Sequence, residues 1–159
     1  MKMLMEIGSV DRVEDYVQNV LETGGVIMGL GHAVYQVDDP RAHILEPMSR
    51  KLGEATGDPK WHTLSKALEK KGKAAFKEKK GKDIFVNVDF YSASLYHYMK
   101  IPMDMFTPVF AVARVAGWAA HVLEERFAGA SDKPVLYRPE SEYIGEYCGK
   151  EDCRLSEEN

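Results

Sequence analysis

Three times in this chain a short side chain of the kind that caps helices, Asp or Thr, stands directly before a proline: Asp39-Pro40, Asp58-Pro59 and Thr107-Pro108. Such a pair is a strong helix start, because the acceptor satisfies an orphan backbone N–H and proline at the first helical position has none to satisfy. The chain is thereby committed to helices at three widely spaced points. After Asp39-Pro40, the residues Ile44, Leu45, Met48 and Leu52 recur at helical spacing and form the expected apolar stripe. After Asp58-Pro59 the helix runs through Trp61, Leu64 and Leu68. Earlier, Ser9 can cap a helix whose stripe is Val10, Val13, Val17, Val20 and Leu21, with Gly24-Gly25 as its stop. A further helix is expected from Asp89, itself the candidate cap, to about Met99, ending before Ile101-Pro102. Thr107-Pro108 then opens one that reaches about Phe127. The short apolar run Ile84 to Val88 is strand or buried link, and one such run does not make a sheet. The expected fold class is all-α.

Composition bounds what such a body can be. At 159 residues, 45% apolar and 29% charged, the chain has the make-up of a globular protein with its own core. A net charge of -4 gives no general reason to expect nucleic acid as a partner, since phosphate binding draws on a basic surface. The stretch from Lys66 to Lys82, rich in lysine and interrupted by Gly72 and Gly81, reads first as a solvated face and connector. Its other reading is attraction for a phosphorylated ligand. Cys148 and Cys153 lack the further ligands a zinc site needs, so no metal is expected. Met1 to Ile7 carries Lys2 and Glu6 without a long apolar core, so no secretory signal is expected and a cytoplasmic location is. Met105 to Leu123 is about as long as a membrane span, but Arg114 in its middle would cost roughly 3 kcal/mol in lipid, so a buried helix and no membrane are expected.

Several residues stand out as chemistry. His32 follows Gly29-Leu30-Gly31, where a backbone free of bulky side chains lets a ligand approach, although a lone histidine is usually a satisfied polar residue. Arg114 interrupts an otherwise apolar helix, and a charge there must be paired or expelled. Arginines present a planar fork that matches a carboxylate. His43, His62, His97 and His121 match no motif and read as structural or exposed. There is no Gly-x-Ser-x-Gly elbow, no P-loop, and no third glycine for a dinucleotide fingerprint.

Taken together, Gly29-Leu30-Gly31-His32-Ala33-Val34-Tyr35, Asp39-Pro40-Arg41, Asn87-Val88-Asp89-Phe90-Tyr91-Ser92, Phe106-Thr107-Pro108 with Ala113-Arg114-Val115-Ala116-Gly117-Trp118, and Arg138-Pro139 occur in the order found in one family. The chain resembles citrate synthase and its 2-methylcitrate-forming relatives from about Met1 to Gly145. The resemblance implies a small coenzyme A-binding helical domain over 1–100, with 101–159 the C-terminal helix and tail belonging to the large domain. It implies that His32 donates a hydrogen bond to the carbonyl of oxaloacetate and that Asp89 is the general base acting on acetyl-CoA. Arg41, Arg114 and Arg138 would bind the diacid, with Arg138 reaching a neighbouring subunit's site. Glu140, after Arg138-Pro139, stands where many relatives carry a basic residue. Coenzyme A would lie along the backbone of Met28, Gly29, Leu30 and Gly31, near Lys82 and Asn87, as a co-substrate, with no tightly bound cofactor.

Relatives are more than twice this long, and their other catalytic histidine, in a His-Gly-Gly stretch, falls just upstream of Met1. The expected partners are therefore oxaloacetate, acetyl-CoA, and either a homodimer mate or a polypeptide carrying the N-terminal half. Alone, the chain is expected to be nearly inactive and to leave an apolar patch exposed around Arg114. The alternatives are a non-catalytic coenzyme A-binding or oligomerisation module, or an inactive truncated remnant.

Overall fold

The computed structural model describes residues 1–127, so Arg138, Glu140, Cys148 and Cys153 lie outside the described residues. Within them the chain forms α1 (Lys2–Ile7), α2 (Val13–Glu22), α3 (Pro40–Ala55), α4 (Lys60–Lys80), α5 (Val88–Tyr98) and α6 (Phe106–Phe127), with single 3-10 turns at Val10–Arg12 and Met103–Met105. There is no strand among the described residues; one isolated antiparallel bridge joins Leu30 to Val86. The fold is all-α. By its contacts the chain divides inside α6, into Met1–Arg114 and Val115–Asn159.

In the first unit, α2 packs on α4, and α3 packs along α5. The core collects Leu4, Ile7, Val13, Val17, Leu64 and Leu68, each at most 2% exposed. Phe90 and Tyr91 close it from α5. The α2 stripe is buried as expected at Val13 and Val17, but Val10 is exposed and the Ser9 side chain makes no cap hydrogen bond. The chain leaves α2 through Thr23 to Gly25, with the Gly25 N–H bonded back to the Val20 carbonyl.

Asp39-Pro40 starts α3 as the sequence predicts: the Asp39 carboxylate accepts the Arg41 N–H and Pro40 takes the first turn. The buried face of α3 differs from the predicted stripe. Ile44 and Met48 are 62% and 48% exposed, while Ala42, Ser49 and Gly53 are buried. Small side chains win here because they let α5 come close. Ser49 Oγ and Ser94 Oγ meet at 2.7 Å, and a Cβ on Gly53 would stand 2.9 Å from the Tyr98 hydroxyl. Polarity alone predicts the wrong face wherever a close helix crossing selects for size.

The lysine-rich stretch is also more ordered than a connector. α4 continues to Lys80 and stops at Gly81, which takes the left-handed conformation at φ 66°. Gly72 does not interrupt it: a Cβ there would stand 2.8 Å from Leu30 Cδ1, so the glycine seats Leu30 against the helix. Lys71 pairs with Glu14, and Lys73 with Asp38 and Glu69, so part of the lysine face is tied inward.

α6 corrects the expectation of a buried helix. None of its residues is buried, and Val112 is 74% exposed. In the second unit, Val115, Trp118, Val122, Leu123 and Phe127 are all exposed, so the expected apolar patch is present. Met103–Phe127 holds an 18-residue window with a mean hydropathy of 1.3 and is long and apolar enough, by length and composition, to cross a membrane.

One partly buried carboxylate links folding to pH. Burial pushes Glu69 up, but hydrogen bonds from Lys73, Tyr91 and Lys66 outweigh it and hold the carboxyl at about 2 instead of 4.5. Because the folded value lies below the unfolded one, this stabilisation is complete above pH 4.5 and disappears as pH falls from 4.5 to 2. Urea titrations across that window are expected to show a loss of stability that is smaller in Glu69→Gln, and an equal loss in the variant contradicts the assignment.

Candidate functional site

The loop that carries His32 is fixed at its base by a short pairing between distant segments. The Gly31 N–H donates to the Phe85 carbonyl at 2.7 Å, and the Asn87 N–H donates to the Gly29 carbonyl at 2.9 Å. Asn87 Nδ2 adds a third bond, to the Gly31 carbonyl at 2.9 Å. Glycine is required at the pairing: Gly29 sits at φ 88°, and any Cβ there would come within 2.8 Å of Phe90 Cδ2. Gly31, at φ 96°, likewise excludes a side chain without strain. Met28 is exposed and Leu30 buried, so the backbone from Met28 to Gly31 runs along the surface with alternate side chains out and in.

His32 stands exposed at the tip of this base. Its Nδ1 accepts two backbone hydrogen bonds, from Val34 at 3.0 Å and Tyr35 at 2.8 Å. A neutral imidazole that accepts at Nδ1 must carry its proton on Nε2, so the ring presents an N–H donor away from the loop. Tyr35 stacks on the ring at 4.3 Å, with planes 12° apart, and fixes the direction of that donor.

Arg41 is held by the residue that starts its helix. Its Nε and Nη2 donate to the two Asp39 carboxylate oxygens at 3.0 and 2.7 Å. Asp39 is fully buried, and hydrogen bonds from Arg41 outweigh burial to hold its carboxyl below the usual range. The same bond raises Arg41, with smaller contributions from Tyr35 and Asp89, whose negative charge lies near enough to favour the guanidinium. Arg41 Nη1 has no hydrogen-bond partner among the described residues, which leaves one edge of the fork for a ligand.

Asp89 does not cap α5. Asn87 does, its Oδ1 accepting the Asp89 N–H at 3.0 Å. Asn87 therefore uses both ends of its amide inside the chain, one on the helix start and one on the Gly31 carbonyl. Asp89, relieved of capping, is exposed, and its carboxylate has no hydrogen-bond partner among the described residues. It lines a cavity of about 360 Å³ together with Met28, Gly29, Phe90, Phe106 and Phe110.

The structure thus brings Met28, Gly29 and Asp89 to one cavity, with Asn87 hydrogen-bonded to the Gly29 and Gly31 backbone and Asp89 within electrostatic reach of Arg41. His32, Arg41 and Arg114 do not line that cavity. Arg114 is exposed on α6 and makes no ion pair among the described residues, so the alternative of an internal salt bridge is not seen there. Lys82 is exposed, and Arg138 lies outside the described residues. Of the other histidines, His62 is buried with Nε2 2.7 Å from Glu46, His97 packs edge-on against Trp61, and His121 lies 2.8 Å from Glu124. Sequence reasoning missed Asp39 as the clamp on Arg41, Tyr35 as the stacking partner, and Asn87 as the cap. An Asn two residues before a candidate cap was the available signal for the last, since Asn caps as well as Asp.

Comparison with known proteins agrees with this architecture. The family described as "Citrate synthase, C-terminal domain" matches residues 1–140. Citrate synthase 2 of Bacillus subtilis is 46% identical over 145 residues, which are 91% of this chain and 36% of that protein. The crystal structure of citrate synthase from Thermotoga maritima superposes with a TM-score of 0.68 at 43% identity, covering 94% of this chain and 40% of that one. A ternary complex of carboxymethyl coenzyme A and oxaloacetate with citrate synthase from Thermoplasma acidophilum superposes at 0.70 with 31% identity, covering 91% and 37%. The chain belongs to the citrate synthase family and matches its C-terminal domain, spanning little more than a third of the length of the curated relatives it matches.

The capping assignment separates two neighbouring residues. Asn87→Ala is expected to lower stability by about 1–2 kcal/mol, through the lost cap, whereas Asp89→Ala changes it by less than about 0.5 kcal/mol as an exposed substitution. Urea denaturation of both variants reads the difference, and equal losses would contradict it.

Proposed function

We propose that this chain supplies the C-terminal half of a citrate synthase-type active site, in which acetyl-CoA condenses with oxaloacetate to give citrate and free coenzyme A. The observation that carries the reading is the state of the two catalytic groups. His32 offers its Nε2–H away from the loop, as a donor to a carbonyl requires. Asp89 has a carboxylate free of internal partners at the mouth of a largely apolar cavity, as a base for a carbon acid requires.

In this reading Asp89 removes a proton from the methyl group of the thioester. That proton has a pKa of roughly 20 against about 4 for a carboxylate, a gap on the order of 20 kcal/mol at ~1.36 per unit. The base closes it only with a donor aimed at the developing enolate oxygen. In relatives that donor belongs to a His-Gly-Gly stretch that has no counterpart in residues 1–159. The cavity beside Asp89 is also lined by Met1 and Leu4. The nucleophilic carbon then attacks the ketone carbon of oxaloacetate while His32 donates to its oxygen, and hydrolysis of the thioester releases the products.

Arg41, through its free Nη1, with Arg114 and Arg138, binds the carboxylates. Coenzyme A lies along Met28 to Gly31 with Lys82 at its phosphates and no resident cofactor. Asn87 serves this site indirectly, by shaping the Gly31 backbone. Residues 1–100 act as the small domain and 101–159 as part of the large one. The exposed face of α6 is covered by a partner polypeptide, either a second copy in a dimer or a chain carrying the N-terminal half, in the cytoplasm.

Co-expression with the N-terminal segment of the Bacillus subtilis relative, the part this chain does not cover, tests the proposal through coenzyme A release from acetyl-CoA and oxaloacetate. Release is expected from the pair, little from the chain alone, and a drop of at least about 100-fold for Asp89→Asn in the pair. Undiminished release in that variant would overturn the role given to Asp89.

A further inference from the structure

The loop between Gly31 and Asp39 is exposed at every position from His32 to Val37, so no core packing holds it in place. Its geometry is set at its two ends. The first end is latched by Gly31 to Phe85 and Asn87. At the second end, the Asp39 N–H donates to the Val86 carbonyl at 3.0 Å, and the Val86 N–H donates to Asp38 Oδ1 at 2.9 Å.

That second latch is braced from outside the loop. Lys73 Nζ on α4 lies 2.8 Å from both Asp38 oxygens and 2.8 Å from Glu69 Oε1. Glu69 Oε2 in turn accepts the Tyr91 hydroxyl of α5 and Lys66 Nζ. The side chains of Asp38, Lys73 and Glu69 are 25%, 28% and 15% exposed, so the charges are partly shielded from solvent. We propose that Lys73 and Glu69 are positioning residues that act through Asp38 to hold the loop, and hence the His32 donor and the start of the Arg41 helix, in register.

The charge arithmetic gives the mechanism. Lys73 stands between two carboxylates, and with Lys66 the group of four is neutral. Without the Lys73 ammonium, Asp38 and Glu69 repel across the gap it filled. Asp38 then turns to solvent, the Val86 N–H loses its acceptor, and the second end keeps only the Asp39 bond. The seven residues between the latches have no other anchor, so the slack reaches the Val34 and Tyr35 amides that fix the imidazole. The catalytic meaning of this brace rests on the proposed role of His32; the brace itself rests on geometry alone.

The test uses the full 159-residue chain with nitrogen-15 histidine, the His32 signals being assigned by their loss in His32→Gln. Above pH 7.5 the unaltered chain is expected to show His32 as one fixed tautomer with its proton on Nε2 and widely separated ring nitrogens. In Lys73→Met, with the backbone amide spectrum still dispersed, that separation is expected to collapse towards the averaged value of a free imidazole, and Lys73→Arg restores it. Oxaloacetate affinity of the chain co-expressed with the N-terminal segment, read by calorimetry, is expected to fall about tenfold in Lys73→Met, as for one lost hydrogen bond, and to recover in Lys73→Arg. Should Lys73→Met fail to fold, Asp38→Ala, which removes both the ion pair and the acceptor for the Val86 N–H, gives the same readings. An unchanged fixed tautomer in the folded variant overturns the proposal. A tautomer that depends on Lys73 in a co-expressed pair that binds no oxaloacetate supports the brace and overturns the function proposed for His32.

Discussion

The hydrogen bonds that tie Gly29 and Gly31 to Phe85 and Asn87 join segments 56 residues apart, and the rest of the site is arranged around them. They place the His32 loop over the start of α5, so that Asp89 emerges beside the glycine backbone. The pairing is possible because Gly29 lies flat on Phe90 and because Gly72 admits Leu30 beneath it. A side chain at Gly29 or Gly72 would push the two segments apart, and with them the imidazole and the carboxylate. Backbone bonds of this kind also exclude ambiguity in register, since a shifted pairing would expose Leu30 and bury Met28.

The parts of this arrangement that sequence made legible are those set by local chemistry. Asp39-Pro40 starts α3 because capping and proline geometry act within a few residues, and Gly81 ends α4 for the same reason. The expectation of an all-helical chain follows from the same devices, and the motif order points to the citrate synthase family, to which the chain belongs. What local pattern did not disclose depends on how closely distant elements approach. The small residues Ser49 and Gly53 face α5 and Ala42 is buried in the core, while Ile44 and Met48 are exposed. Gly72 reads as a helix breaker in isolation and is a seat for Leu30 in the fold. The capping role moved from Asp89 to Asn87, because Asn87 also serves the Gly31 carbonyl and so is fixed from both sides.

The long helix α6 belongs with these tertiary effects. Its apolar content predicts burial, yet Val112, Val115, Trp118 and Phe127 are all more than half exposed within this chain. Hydrophobic pattern records that a surface is to be covered without recording by what. Relatives about two and a half times as long have further polypeptide available for that purpose. Arg114, carried on the same helix, has no ion-pair partner among the described residues, as a group reserved for a ligand would.

The claim on which this account turns is that His32, Arg41 and Asp89 face one ligand. Titrating the labelled chain, paired with the N-terminal segment it does not cover, with oxaloacetate while following the His32 Nε2–H, the Arg41 guanidinium and the Asp89 carboxyl carbon by NMR tests it directly. The account predicts that all three signals move together along a single saturation curve. Signals that move independently, or not at all while the fold is intact, would contradict it.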